Sequence, residues 1–147
     1  MGDTTDLMQL YSTRILALAA DIPHLARLPD PQASVKRRSP LCGSTVTVDL
    51  DMKDGRVSRF GQDVKACALG QAAAGVLGQV VIGRSAAELS RARDQLRAML
   101  TQNGPVPDPP FDGFEVLTPA REYRNRHASI LLALEATVEA TEQLAPA

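Results

Sequence analysis

From Thr45 to Met52 the chain alternates without exception: Thr45, Thr47, Asp49 and Asp51 are polar, and Val46, Val48, Leu50 and Met52 between them are apolar. A period of two sends successive side chains to opposite faces, so this stretch predicts a half-buried β-strand. Asp54 and Gly55 follow. That pair suits a two-residue type I′ loop, in which both positions need positive φ, and residues 56–64 then read as the returning strand with an irregularity expected at Gly61. A short edge strand over 33–38 precedes the hairpin, after a connection that holds Pro23, Pro29 and Pro31.

Helical spacing marks the rest of the chain. Leu7, Leu10, Tyr11, Ile15 and Leu18 predict a first amphipathic helix over 7–20 that stops before Pro23. The stretch from Cys67 to Ile82 is rich in Ala, Gly and Leu and has no Pro, which predicts a helix packed close to the sheet and ended by Gly83. Ser85 with Glu88 forms a capping-box pattern, and Leu89, Ala92, Leu96 and Met99 make the stripe of a further helix ending at Asn103 and Gly104. Pro105, Pro107, Pro109 and Pro110 predict an extended surface loop over 104–113, and Ile130, Leu131, Leu134 and Val138 a last helix over 119–144. The whole reads as one α+β domain over 1–147: a small antiparallel three-stranded sheet with four to five helices packed on it.

Composition narrows what such a domain does. The 147 residues hold 16 Lys+Arg against 17 Asp+Glu, no Trp, two Tyr and three Phe. Neither the basic field nor the stacking platform of a nucleic-acid binder is present. Residues 66–83 carry no charged side chain, yet Gln71, Gln79 and four glycines make them a poor membrane span and a better buried helix. Asp3 and Asp6 stand where a signal peptide would be basic. A soluble protein of a reducing compartment, the cytoplasm, is expected, because two free thiols survive there.

Those thiols are Cys42 and Cys67, too few for a disulfide framework or a four-thiolate zinc site. A hairpin with Asp54 and Gly55 at its tip pairs positions whose numbers sum to 109, and Cys42 and Cys67 obey the same sum although they lie 25 positions apart. Both are therefore expected at the open end of the hairpin. Cys67 begins a helix, where free N–H groups and the macrodipole favour thiolate, and Gly43 beside Cys42 permits an unusual backbone. A close pair of this kind fits a metal or iron–sulfur site, a sulfur-accepting nucleophile or a redox disulfide. His127, near the start of the last helix beside Arg124 and Arg126, is the candidate imidazole that would favour the metal; His24 is a second, weaker one.

The series Pro40-Leu41-Cys42-Gly43, a hairpin, Ala66-Cys67-Ala68-Leu69-Gly70-Gln71-Ala72-Ala73-Ala74, a capped helix and an Arg-rich final helix start resembles the IscU/NifU/SufU family of iron–sulfur cluster assembly scaffolds. The likeness runs from about Leu10 to about Ala136. It implies cluster, iron or zinc binding by Cys42 and Cys67, with a cysteine desulfurase and apo iron–sulfur client proteins as partners and a homo-oligomer left open. Ser44 stands at the family's ligating Asp, and the third family cysteine is missing. His127 matches that cysteine in a SufU-like alignment; in an IscU-like one it matches the preceding His and leaves Ala128 at the thiol position. The resemblance thus implies a set of Cys42, Cys67 and His127, with Ser44 as a further ligand. Its alternatives are a zinc-dependent sulfur acceptor, for which the lost cysteine is the usual acceptor, and a degenerate interaction module. The family's Leu-Pro-Pro-Val-Lys chaperone-binding motif has no counterpart near Leu117 and Thr118.

Overall fold

A computed structural model of the chain describes residues 11–40 and 43–144. Helix α1 (Thr13–Ala20) leads to strands β1 (Ala33–Arg38), β2 (Thr45–Lys53) and β3 (Arg56–Lys65). Helices α2 (Ala68–Val80) and α3 (Ala86–Thr101), a 3₁₀ segment (Phe111–Glu122) and helix α4 (Arg124–Gln143) follow. The strands form one antiparallel sheet in the order β1-β2-β3. This is the expected α+β architecture.

The hairpin forms for the anticipated reason. Asp54 and Gly55 have φ of 55° and 77°, the two positive values a type I′ turn requires. The irregularity is displaced, however: Met52 pairs with Val57 and Asp51 with Arg59, which leaves Ser58 as the extra residue. Gly61 pairs regularly with Asp49. Its missing side chain serves close packing instead, because a Cβ there would collide with the Ala26 carbonyl oxygen of the segment crossing the outer face of the sheet. Beyond the bulge every pair sums to 110, ending at Thr45 and Lys65, so the register expected for the two cysteines is off by one position.

One face of the sheet carries Val35, Val46, Val48, Leu50 and Phe60, all buried against the helical layer. The buried apolar residues form one cluster that also takes in Ile15, Leu69, Leu77, Leu96, Phe114 and Leu134. Small residues set the distances within it. A Cβ at Gly75 would stand 2.7 Å from the Leu18 carbonyl oxygen, and one at Gly78 2.9 Å from that of Pro23. The glycines that make residues 66–83 unlike a membrane span thus let α2 lie against α1 and the turn after it. No helix among the described residues is long and apolar enough to cross a membrane.

Three expected boundaries change. Of the first helix expected over 7–20, residues 7–10 lie outside the described residues, and within them it begins at Thr13, capped by the Ser12 hydroxyl, which accepts from the Ile15 amide. The last helix begins at Arg124 rather than at 119, because Pro119 lies inside the 3₁₀ segment and Tyr123, at φ −110° and ψ 73°, breaks the run. The proline-rich loop is shorter than expected: from Phe111 onward the chain turns into that segment, with Phe111, Phe114, Val116, Leu117 and Ala120 buried. Asp108 ties the remaining loop to α3 through Arg91 and Gln95. The α3 capping box forms as expected, with the Ser85 hydroxyl accepting from the Glu88 amide.

Candidate metal centre

The open end of the sheet is assembled from three segments. The first is the turn from Ser39 to Ser44, closed where the Ser39 amide donates to the Ser44 carbonyl at 2.8 Å and the Gly43 amide to the Ser39 carbonyl at 3.0 Å. Gly43 has φ 69° with open space where a Cβ would be, so the backbone conformation, not crowding, calls for glycine. Cys42 lies outside the described residues.

The second segment is the β3–α2 junction. Cys67 is the N-cap of α2, extended at φ −66° and ψ 170°, and its carbonyl accepts from the Gln71 amide. The thiol does not cap the helix. It is free, half-buried, and 3.6 Å from the Ser129 hydroxyl. The third segment is the second turn of α4, which supplies Ser129. Its Oγ also lies 3.1 Å from Ser44 Oγ, and both serines are buried. Gly70, one turn into α2, makes this approach feasible, since a Cβ there would stand 2.6 Å from Ser129 Oγ.

The structure therefore brings Ser44 and Cys67 together through Ser129. It does not bring His127 to them. Residues two apart on an α-helix point about 200° apart, so with Ser129 turned toward Cys67, His127 faces the other side. There its Nε2 donates to the Ala120 carbonyl at 2.9 Å, which leaves Nδ1 as the ring atom with a lone pair when the ring is neutral. The ring lines a separate cavity of about 570 Å³ with Leu100, Asn103, Arg121 and Arg124. His24 also has a structural place: at φ 59° its carbonyl accepts from the Ala26 and Gln62 amides, and its ring meets Phe60 edge-on. Among the described residues no group of three or more His, Cys, Asp or Glu side chains is placed to hold a metal.

Ser129 is the residue that sequence reasoning passed over. Its signal was a hydroxyl directly before the apolar run of residues 130–134. Buried polar groups need partners, and here the partners are the hydroxyl and thiol of the other two segments.

Fold and site together define a class: a small α+β domain that presents a helix-capping thiol and a glycine-containing turn at the open end of a three-stranded antiparallel sheet. No protein-family model and no curated protein matches the chain. Among solved structures, the N-terminal part of a nitrogen-fixing NifU-like protein from Brucella abortus is 43% identical over 95% of this chain and 99% of that one, with a TM-score of 0.91. The chain belongs to the family of NifU-like N-terminal domains. An iron–sulfur cluster assembly scaffold of the SUF system from Fervidobacterium islandicum shares the fold at a TM-score of 0.80, with 16% identity over 91% and 98% of the two chains. A hypothetical protein of solved structure does so at the same score, with 20% identity over 92% and 98%.

Proposed function

We propose that this protein is a scaffold on which an iron–sulfur cluster, or iron on its way into one, is held and passed on. The observation that carries the reading is the free Cys67 thiol at the start of α2, set beside the turn that bears Cys42, in a chain 43% identical to a NifU-like domain. Cys67 and Cys42 are the proposed thiolate ligands; thiolate is the soft donor that selects iron–sulfur clusters over hard cations. Ser44 follows Cys42 by two residues and offers a hydroxyl at the same end of the sheet. Ser129 orients both Ser44 and Cys67, an outer-shell hydrogen-bonding role of the kind that tunes metal ligands. His127 is proposed as a pin between α4 and the 3₁₀ segment, in place of the ligand role expected from the sequence.

Two thiolates leave a cluster incompletely coordinated by this chain. An open position is what a carrier needs, since a closed site retains its contents. The remaining ligands are supplied by a partner or a second copy of the chain, and the proposed partners are a cysteine desulfurase as sulfur source and apo iron–sulfur proteins as recipients. A reducing compartment such as the cytoplasm suits the free thiol. No observation favours zinc, and none favours a sulfur acceptor.

The test is anaerobic reconstitution with ferrous iron, sulfide and thiol, followed by visible spectroscopy and iron analysis. Bound iron with thiolate-to-iron absorption in the wild type, lost in Cys42→Ser and Cys67→Ser and kept in His127→Ala, is the expected result. Equal loading of all four proteins would overturn the ligand assignment.

A further inference from the structure

The cations of this chain are unevenly employed. Eight arginines are in ion pairs, and Arg121 donates to the Met99 and Gly104 carbonyls at the end of α3. Among the described residues Arg14, Lys36, Arg38, Lys53, Lys65, Arg124 and Arg126 have no side-chain partner, and four of these seven flank the site: Lys36 and Arg38 lead along β1 to Ser39, Lys65 lies two before Cys67, and Arg126 one turn before Ser129. A chain of net charge −1 thus sets four of its seven unpartnered cations around one end.

The sheet explains how. Directly opposed residues of neighbouring strands share a face, so Arg38, Thr45 and Lys65 form one row across the outer face, and Lys36, Thr47 and Asp63 form the next. Farther from the site this face is covered. There the Arg27 guanidinium and the Leu28 amide bind Asp49, the Gln32 amide binds Asp51, and Arg59 joins Asp51 to the Pro29 carbonyl. Among the described residues the two rows next to the site have no such cover. Lys36, Arg38 and Lys65 are exposed there against the single carboxylate of Asp63.

We infer that this uncovered half of the outer sheet face is a docking surface for a protein partner that presents a cluster of carboxylates, seated beside the Cys67 thiol. Charge complementarity identifies the occupant. The rows hold only Thr between their charges, so neither base stacking nor insertion into a lipid layer has a foothold. Charges at the rim of an interface act on association rate and salt dependence, which suits a contact made and broken repeatedly. The inference concerns the surface and does not depend on what the thiols hold.

The test uses the whole chain without added metal and poly-L-glutamate as the acidic probe, at low and moderate salt. Binding that weakens with salt and falls about tenfold in Arg38→Glu/Lys65→Glu, but little in the equally charged control Arg14→Glu/Lys53→Glu, is the expected outcome. In the wild type, amide shifts on titration should concentrate at residues 36, 38, 45 and 65, a readout that needs no variant to fold. Equal loss in both variants, shifts elsewhere, absence of binding, or preferential binding of duplex DNA or phosphatidylserine vesicles would each overturn it. Failed cluster loading with intact poly-L-glutamate binding would count against the proposed function alone.

Discussion

Ser129 shows how much can hang on one hydroxyl. It sits directly before the apolar run of residues 130–134, is 1% exposed, and reaches the Ser44 hydroxyl and the Cys67 thiol from a position made accessible by Gly70. Ser129→Ala is expected to leave the fold intact and to weaken iron retention by about tenfold to a hundredfold, the range typical of lost outer-shell partners. Competition with an iron chelator measures it; retention equal to wild type would show that the hydroxyl serves packing only. Gly70→Ala should act on stability as well, by about 1–3 kcal/mol in urea unfolding, because its methyl has no room beside Ser129. Cys67 at its helix start and the turn glycine Gly43 were legible in the sequence because thiols and positive-φ glycines are rare and chemically marked. Ser129 was not, since its role depends on a helix crossing that no local pattern encodes, and the hydrogen bond from His127 to the Ala120 carbonyl was not either, because spacing places a residue on a helix without saying which neighbour that helix will face.

Asp49 is the other residue whose role emerges only in three dimensions. The strict alternation of β2 sends it to the solvent side, yet its side chain is fully buried by the segment that crosses the sheet. Burial pushes its pKa upward, but hydrogen bonds from Arg27, Ser34 and the Leu28 amide, with the Arg27 charge, outweigh that and hold it below the ordinary carboxylate value. A folded-state pKa lowered in this way gives stability that is present above the unfolded value, near 4, and lost as pH falls through the folded one. Asp49→Asn is therefore expected to cost about 1–3 kcal/mol at neutral pH. Urea unfolding against pH should show the difference between the two proteins shrinking below about pH 4; a difference that persists undiminished would assign the loss to packing.

At the scale of elements, strands and capped helices were legible because their determinants are local. The type I′ turn needs two residues, the α3 capping box needs Ser85 and Glu88, and each formed where the sequence put it. Ser85→Ala should cost about 1 kcal/mol by removing the cap on the Glu88 amide, measured as a lowered urea midpoint with an unchanged slope. The elements misread were those decided by tertiary contact. The 3₁₀ segment from Phe111 to Glu122 contains Gly113 and Pro119, poor helix formers, and persists by burying Phe111, Phe114 and Leu117 against the helices. The bulge at Ser58 replaced the irregularity expected at Gly61, where the glycine answers to a chain segment 35 positions earlier.

For the molecule as a whole, the design separates a rigid core from one chemically open end. Helices α2 and α4 cross closely at Gly70 and Ser129, and the ion pair between Arg37 and Glu139 at 2.7 Å ties β1 to α4. Ser44, Cys67 and Ser129 meet at the opposite end of the hairpin from its tip, bounded by Arg38, Lys65 and Arg126, which have no partner among the described residues. The central claim is that Cys42 and Cys67 together hold iron or a cluster at that end. Iron bound per chain after anaerobic reconstitution of the wild type, Cys42→Ser and Cys67→Ser tests it most directly. The account predicts iron with a thiolate-to-iron visible band in the wild type and its loss in each variant; a wild type that takes up no iron, or variants that take up as much, would contradict it.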